Sequence, residues 1–204
     1  MLEGMAVGAN GANCYLFACD ETKEAVLVDP GDSPRILERW VLSKGVKVTY
    51  ILLTHGHLDH IGAVADLRRA LQARVAIHQA DALMLTDAQA NLSSLLGTPF
   101  TVGPADELLV DGQIIKVGNK QVKVLATPGH TPGGLCFVTP EGVLSGDTLF
   151  AGSIGRTDFP GGSIDELLRS IEEKLLAMPD ETRVYPGHGE MTTIGNEKRD
   201  NPFL

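Results

Sequence analysis

The chain has 204 residues, of which 43% are hydrophobic and 21% are charged, so residues 1–204 can form one globular domain with a sizeable core. The formal net charge is −9 at pH 7 and the sequence has no basic run, which argues against nucleic acid as a partner. No stretch of the sequence approaches the roughly 20 apolar residues of a membrane span, and residues 1–13 lack the features of a signal peptide.

The first predicted elements are two strands and a helix. Residues 13–17 and 25–29 are mostly apolar and predict neighbouring strands. A helix is predicted over residues 33–44, because Ser33 can cap its start and Gly45 can end it.

The densest group of candidate ligands follows the next strand. Residues 48–53 predict a buried strand and residues 61–71 predict a helix. The loop between them contains four metal-binding side chains within six positions: His55, His57, Asp59 and His60. The first two can bind one ion, and the last two are adjacent, project differently and can serve a second. The alternative is a set of solvated surface histidines, but the rest of the chain supplies matching ligands.

Fewer functional signals occur in the middle of the chain. Further strands are predicted at residues 74–78, 108–117 and 121–126, and a helix is predicted at residues 163–178. We expect His78 to be a hydrogen-bonded structural histidine and not a ligand. Residues 80–96 are expected to be helical or irregular, and residues 97–107 are expected to form a loop.

Three more candidate ligands each follow a predicted strand. His130 and His188 each come directly after a Pro-Gly pair, a tight-turn signal that lets backbone approach closely, and Asp147 lies in a Gly-Asp-Thr sequence. Five histidines and two aspartates make a nitrogen and oxygen ligand set. Such a set suits zinc, iron or manganese.

The order of these motifs resembles that of the metallo-β-lactamase superfamily, and within it the glyoxalase II (hydroxyacylglutathione hydrolase) branch. The resemblance implies an α/β fold, the αββα four-layer β-sandwich, and two divalent metal ions, with zinc expected and iron or manganese as alternatives. It implies these ligands: His55, His57 and His130 for the first ion, Asp59, His60 and His188 for the second, and Asp147 as the bridge. The β-lactamase branch lacks this bridging carboxylate, so the pattern argues against a β-lactamase.

The resemblance also implies how the site works. Two ions roughly 3.5–4 Å apart can hold a hydroxide that attacks a carbonyl carbon, and Asp59 is the expected catalytic partner for its proton. Asp29 is expected to support a ligand histidine. Arg156 can bind a substrate carboxylate, or it can pair with Asp158 or Asp165. Glyoxalase II enzymes have a lysine at the position of Arg156, a tyrosine at that of Asp158 and a further helical domain, so the chain is most similar to short single-domain relatives.

Three functions are compatible with these motifs. The first is hydrolysis of a small-molecule thioester such as S-lactoylglutathione. The second is a persulfide dioxygenase, since these enzymes share the His-x-His-x-Asp-His motif and use one iron at positions matching His55, His130 and Asp147. The third is a non-catalytic metal-binding module, which the complete ligand set disfavours. The three cysteines lack metal-site spacing, so they predict reduced thiols and a cytoplasmic protein.

Overall fold

Two six-stranded β-sheets, packed face to face, form the centre of the molecule. This computed structural model describes residues 1–204, apart from the side chain of Leu96. Helices cover the outer face of each sheet. The result is four layers, helix, sheet, sheet and helix, which confirms the predicted α/β class and the αββα sandwich.

The first sheet has its six strands in chain order. They are β1 (Leu2–Val7), β2 (Ala12–Ala18), β3 (Glu24–Val28), β4 (Lys47–Leu52), β5 (Arg74–His78) and β6 (Glu107–Leu109). Neighbours from β1 to β3 are antiparallel, and neighbours from β3 to β6 are parallel. The parallel half therefore brings the carboxyl ends of β3 to β6 to one edge of the sheet.

The second sheet is mostly antiparallel. Its strands are β7 (Ile114–Val117), β8 (Lys120–Ala126), β9 (Leu135–Thr139), β10 (Gly142–Gly146), β13 (Arg183–Pro186) and β14 (Thr192–Thr193). A separate two-stranded hairpin consists of β11 (Leu149–Phe150) and β12 (Ser153–Ile154). The strand order is β14-β13-β10-β9-β8-β7, and β10 and β13 are parallel. Both sheets therefore contain parallel neighbours whose carboxyl ends can carry ligand loops.

The helices are short. They are α1 (Pro34–Ser43), α2 (Leu58–Ile61), α3 (Val64–Leu71), α4 (Ile164–Ser170) and α5 (Ile194–Asp200), with 3₁₀ helices at Gln79–Leu85 and Ser93–Leu96 and a π-helical turn at Ile171–Leu175. Helices α1 and α3 pack on the first sheet, and α4 packs on the second. In the part of the chain that the structure describes, none of these helices has the length and apolar character needed to cross a membrane.

Alternating side chains divide each central strand between two cores. In β2, Leu16 packs outward against the helices, whereas Phe17 packs between the sheets. In β3, Leu27 packs outward against the helices and Val26 packs between the sheets. All four side chains are fully buried, and burial of each contributes roughly 1.5–3 kcal/mol to folding. This two-sided burial explains why these strands are continuous apolar runs in the sequence.

The helices near the first ligand loop differ from the prediction in two ways. Ser33 does not cap α1: its backbone is left-handed, with φ = 55°, and its side chain makes no capping hydrogen bond. The helix predicted over residues 61–71 is divided into α2 and α3, because the chain turns at Gly62 and Ala63. The Ala63 amide donates to the Pro30 carbonyl oxygen at 2.9 Å, which holds this turn against the end of β3.

Some predicted strands are also wrong or incomplete. The strand predicted over residues 108–117 is broken at Gly112, where φ is +76°, and its halves join different sheets as β6 and β7. Strands β1 and β9 and the two-residue strands β11, β12 and β14 are not predicted from the sequence. By contrast, Ser163 caps α4 by accepting a hydrogen bond from the Glu166 amide at 3.3 Å. His78 accepts one from the Ala80 amide at 3.2 Å and contributes to none of the ligand groups described below, which supports its structural role.

The candidate ligands lie where strands of both sheets end. His55 follows β4, His130 follows β8, Asp147 follows β10 and His188 follows β13. Because the sheets pack face to face, these loops meet at one edge of the sandwich, as ligand loops do at the carboxyl ends of strands in other α/β folds.

Candidate metal centre

All seven predicted metal ligands lie together. Three groups of side chains each bring their ligand atoms within 4.8 Å of one another, and they share members. The groups are His55, His57 and His130; His55, His60 and Asp147; and Asp59, His60 and His188. The first and third groups are the two ligand sets that the family resemblance implies.

Distances within the cluster place Asp147 between the two histidine sets. Its Oδ2 lies 3.6 Å from His130 Nε2 and 3.7 Å from His188 Nε2, and its Oδ1 lies 3.3 Å from His60 Nε2. His57 Nδ1 lies 3.0 Å from His130 Nε2. A carboxylate that reaches both sets has the position expected of a bridge between two ions.

Unsatisfied atoms show that the cluster fits metal ions. His55 Nε2 and Asp147 Oδ1 are buried and make no hydrogen bond among the described residues, since the 3.3 Å contact of Asp147 Oδ1 with His60 Nε2 lacks hydrogen-bond geometry. A buried polar atom without a partner costs free energy, so such atoms call for an explanation. Both atoms point into a group of nitrogen and oxygen donors, which is the ligand chemistry of zinc, iron and manganese. A cation bound here would satisfy both atoms.

Other oxygen atoms fix the outer ring nitrogens of four histidines. Nδ1 lies 3.1 Å from Thr54 Oγ1 in His55, 2.7 Å from the Arg156 carbonyl oxygen in His130, and 3.2 Å from the Asn10 carbonyl oxygen in His188. In His60 it lies 3.1 Å from Asp29 Oδ2. Each of these contacts leaves Nε2 facing the cluster, as in metal sites where a second hydrogen bond orients the ring.

Asp29 supports the site as expected, because it connects the ends of strands β3 and β4. Besides contacting His60, its carboxylate accepts hydrogen bonds from the Thr54 amide at 2.8 Å and the Thr54 hydroxyl at 2.6 Å. Thr54 in turn contacts the ring of His55. Asp29 is buried, so these contacts replace its hydration and link β3 to the start of the ligand loop.

The sequence did not indicate Asn10, although Asn10 touches the cluster. Its carbonyl oxygen contacts His188, and its side-chain amide donates to Asp59 Oδ2 at 3.4 Å. It lies in the Gly-rich turn between β1 and β2, where Gly8 has φ = +69°. Only the glycines flanking Asn10 could have marked this turn, and glycines mark many turns that have no role in binding.

Electrostatics keep His55 and His57 neutral. Burial, reinforced by the neighbouring histidines, holds the pKa of His55 well below its ordinary value. The same causes lower the pKa of His57 to about 3. Neutral imidazole is the form that binds metals, so protons do not compete for these two rings.

The second set is rich in carboxylates and has the opposite character. Burial opposes ionisation of Asp59, but the hydrogen bond from His188 and the charges of His60 and His188 together outweigh it and lower the pKa of Asp59. Burial also opposes protonation of His60, but the charges of Asp147 and Asp29 raise the pKa of His60 well above its ordinary value. This concentration of negative charge attracts a cation.

Close packing explains one of the Pro-Gly-His motifs. At Gly187, a Cβ atom would collide with Asp147 Oδ1 and would lie 2.8 Å from His60 Cε1. Glycine at this position therefore lets the backbone before His188 pass directly beside the cluster. The motif predicts a ligand because it combines this close approach with the histidine that follows it.

A cavity of about 540 Å³ opens above the cluster. At its rim, Arg156 makes a bidentate ion pair with Asp158, with Nε to Oδ1 and Nη2 to Oδ2 both at 2.7 Å. The guanidinium carbon also lies 3.9 Å from the centre of the Phe159 ring. Of the two roles considered for Arg156, the structure therefore shows the ion pair with Asp158, and the substrate role stays a prediction.

Comparison with known proteins identifies the family. A family model described as the metallo-beta-lactamase superfamily matches residues 7–188, nearly the whole chain. The chain belongs to this superfamily. Together with the cluster of histidines and aspartates, this membership indicates a metallo-hydrolase that binds divalent metal ions.

Two curated relatives of this superfamily member match over almost their full length. A Bacillus subtilis protein named "Probable metallo-hydrolase YqgX" is 40% identical and is matched over 98% of this chain and 95% of its own. The Haemophilus influenzae "Hydroxyacylglutathione hydrolase GloC" is 37% identical, with 100% of this chain and 97% of its own matched. The relatives therefore share the full extent of the fold.

Three solved structures superpose closely on this chain. The BLEG-1 B3 metallo-beta-lactamase has a TM-score of 0.95 at 41% identity, covering 100% of this chain and 99% of its own. TTHA1623 in a di-iron-bound form has a TM-score of 0.87 at 41% identity, covering 99% and 100%. ETHE1 from Myxococcus xanthus has a TM-score of 0.81 at 31% identity, covering 99% and 83%. Because the names of these proteins differ in activity and metal, membership alone does not define the substrate.

Proposed function

We propose that this superfamily member hydrolyses small-molecule thioesters of the S-lactoylglutathione type, with two divalent metal ions bound to the cluster. The observation that carries the proposal is the position of Asp147, whose two carboxylate oxygens face both histidine sets. The similarity to a hydroxyacylglutathione hydrolase over almost the whole of both chains supports it. We also propose a cytoplasmic location, because the three cysteines are free and buried.

The proposed ligands divide between the two ions as the sequence suggests: His55, His57 and His130 for one, Asp59, His60 and His188 for the other, and Asp147 for both. When bound, such ions lower the pKa of water and polarise a carbonyl oxygen. Zinc is the proposed metal, and the di-iron neighbour makes iron the first alternative.

The protein's own residues position the substrate and move a proton. Water adds to the thioester carbonyl carbon, the carbon–sulfur bond breaks, and the products are a carboxylic acid and a thiol. Asp59 is the proposed proton acceptor, because its Oδ2 faces the cavity beside His188 Nε2, 3.4 Å away. The accepted proton can then pass to the leaving sulfur. Arg156 can bind a substrate carboxylate in exchange for Asp158 or through the N–H groups that Asp158 does not engage.

A second candidate is oxidation of a persulfide by dioxygen at a single iron. The matching ligands, His55, His130 and Asp147, are also close together, with 3.6 Å between His130 Nε2 and Asp147 Oδ2. This function leaves His60 and His188 without a metal. The number of bound ions therefore separates the two candidates.

The test is metal analysis combined with three assays on protein reconstituted with zinc or with iron. We expect two ions per chain and hydrolysis of S-lactoylglutathione, with neither oxygen uptake on glutathione persulfide nor β-lactam hydrolysis. One ion per chain with oxygen uptake would establish the dioxygenase instead. Hydrolysis of a β-lactam but of no thioester would favour the activity named for BLEG-1.

Matched histidine variants sharpen this test. His188→Ala should reduce the metal content from two ions to one, because it removes a ligand of the second set only. His78→Ala should retain two ions, since His78 belongs to none of the ligand groups. Equal metal loss in both variants would show that the effect comes from unfolding and not from ligation.

A further inference from the structure

The cavity above the metal cluster has an apolar wall. Its volume, about 540 Å³, lies within the range of roughly 300–1,000 Å³ that is typical of small-molecule sites. The polar lining side chains belong mainly to the cluster on its floor. The remaining lining is apolar and consists of Leu58, Leu92, Leu95, Phe150, Ile154 and Phe159.

The apolar wall flanks the cluster on both sides. The Phe159 ring centre lies 5.5 Å from that of His57, and the Phe150 ring centre lies 6.3 Å from that of His188. Leu95 forms the rim and is 72% exposed. A single exposed leucine is ordinary, but one that continues an apolar wall into a cavity extends a surface able to bind a ligand.

Charged groups of a ligand find little to pair with in this cavity. Among the lining side chains that the structure describes, Arg156 is the one lysine or arginine, and Asp158 already pairs with its Nε and Nη2. Glutathione carries two carboxylates and one ammonium group at neutral pH. A substrate carboxylate would have to displace Asp158, or use the remaining N–H groups of a guanidinium whose charge Asp158 already offsets, whereas an uncharged group requires no such pairing.

We propose that the cavity selects thioesters with an apolar, uncharged group beside the scissile bond, and that Leu95 is a specificity-determining residue. This inference rests on the proposed thioester hydrolysis and names its substrate class. The apolar group can belong to the acyl part or to the thiol part, because both present the same surface to the wall.

Two substrate series determine whether the apolar group belongs to the acyl part or to the thiol part. In the first, acetyl, butyryl, hexanoyl and octanoyl groups are joined to the neutral thiol N-acetylcysteamine. In the second, an acetyl group is joined to alkyl thiols of increasing length. We expect kcat/KM to rise about two- to fourfold per methylene in at least one series, and fourfold corresponds to about 0.8 kcal/mol per buried methylene. S-Lactoylglutathione should be a poorer substrate than the lactoyl thioester of N-acetylcysteamine.

A variant pair tests the role of Leu95. Leu95→Ala should reduce kcat/KM by a factor that grows with chain length, so the slope of the series becomes shallower. The matched control is Leu83→Ala, because Leu83 is 63% exposed in the preceding 3₁₀ helix but does not line the cavity. Leu83→Ala should leave the slope unchanged. Equal slopes in wild type and Leu95→Ala would remove Leu95 as a determinant.

The outcomes distinguish this inference from the function on which it rests. Hydrolysis that is independent of chain length in both series would overturn the inference and leave thioester hydrolysis in place. If no thioester is hydrolysed, the proposed function fails, and binding of S-methyl and S-octyl thioethers of N-acetylcysteamine decides the inference. Calorimetry should then show at least tenfold tighter binding of the S-octyl compound; equal affinities would refute it.

Discussion

Substituting Asp81 with asparagine should weaken one half of the metal site selectively. Asp81 is fully buried in the first 3₁₀ helix. It accepts hydrogen bonds from the Thr131 hydroxyl and the Gly133 amide, each at 2.7 Å. These two donors flank the turn after His130, so Asp81 acts as a positioning residue for a ligand of the first ion.

The expected magnitude follows from these two contacts. In Asp81→Asn the amide oxygen can keep the contact with the Gly133 amide, but the amide nitrogen can only donate, so the Thr131 hydroxyl must turn to accept and neither hydrogen bond keeps a charged acceptor. A hydrogen bond to a charged group contributes about 1.5–3 kcal/mol. Burial, which raises the pKa of Asp81, offsets part of this gain. We therefore expect about 1–2 kcal/mol less stability, or roughly 2–8 °C in Tm for a chain of this length.

The metal affinity should respond unequally at the two sites. Loss of a supporting contact around a ligand typically weakens metal binding by about 10–100-fold. Asp81 contacts the neighbour of His130 and not His130 itself. We therefore expect the affinity for the first ion to fall about tenfold and the affinity for the second to change little. Titration of metal-free protein with zinc in competition with a chromophoric chelator measures both constants.

Asp87→Asn is the matched control for this variant. Asp87 lies in the same segment and accepts hydrogen bonds from the amides of Gln89 and Ala90, at 2.7 and 3.3 Å, but does not touch the His130 turn. The Asp87→Asn variant should have a lower Tm but an unchanged ratio of the two zinc affinities. If Asp81→Asn weakens both ions equally, or neither, then Asp81 is a structural residue only.

Three further predictions concern the ions and the rim. Asp147→Asn should abolish thioester turnover with little loss of Tm, because it halves the bridging oxygens at nearly constant shape; activity near wild type at saturating metal would show that Asp147 is not the bridge. Chelation should lower Tm by roughly 5–10 °C, as expected if metal at about 100 times its Kd contributes about 2.7 kcal/mol, and calorimetry before and after zinc addition checks this. Asp158→Asn should lower KM for S-lactoylglutathione severalfold by freeing Arg156, and the double variant with Arg156→Ala should show no such gain in steady-state kinetics.

The clustering of the seven candidate ligands could be predicted from the sequence because each lies in a short motif. His55, His57, Asp59 and His60 lie within six positions, and the other ligands follow strands that are recognisable from their apolar residues. The metal requires several donors at one point, and dense spacing or a Pro-Gly-His turn achieves this locally. The supporting residues carry no such signal, because their partners are distant in the chain. Asp81 and Thr131, for example, are 50 residues apart.

Local physical reasons explain why the prediction omits strand β1 and the break between β6 and β7. Strand β1 is an edge strand that pairs only with β2, so its side chains are half-exposed and its apolar pattern is weak. It also contains Gly4, a poor strand former whose open surface the Tyr15 ring covers. The break between β6 and β7, in contrast, has a signal in Asp111-Gly112. An Asp-Gly pair is a strong turn signal, and it should have divided the strand predicted over residues 108–117.

One segment, residues 79–96, connects substrate selection to metal binding while keeping the two separable. Its buried side chains face inward: Asp81 holds the His130 turn, and Asn91 donates to the carbonyl oxygens of Met84 and Phe100 at 3.0 Å each. The Asn91 carbonyl oxygen accepts from the Leu58 amide at 3.0 Å, directly after the second ligand histidine. Leu95, on the same segment, projects to the rim and makes none of these bonds. We therefore expect a change at Leu95 to alter the preferred substrate without moving a metal ligand. A change at Asp81 or Asn91 should instead move the loops that carry the ligands. Such a division allows proteins of one fold and one metal cluster to act on different substrates.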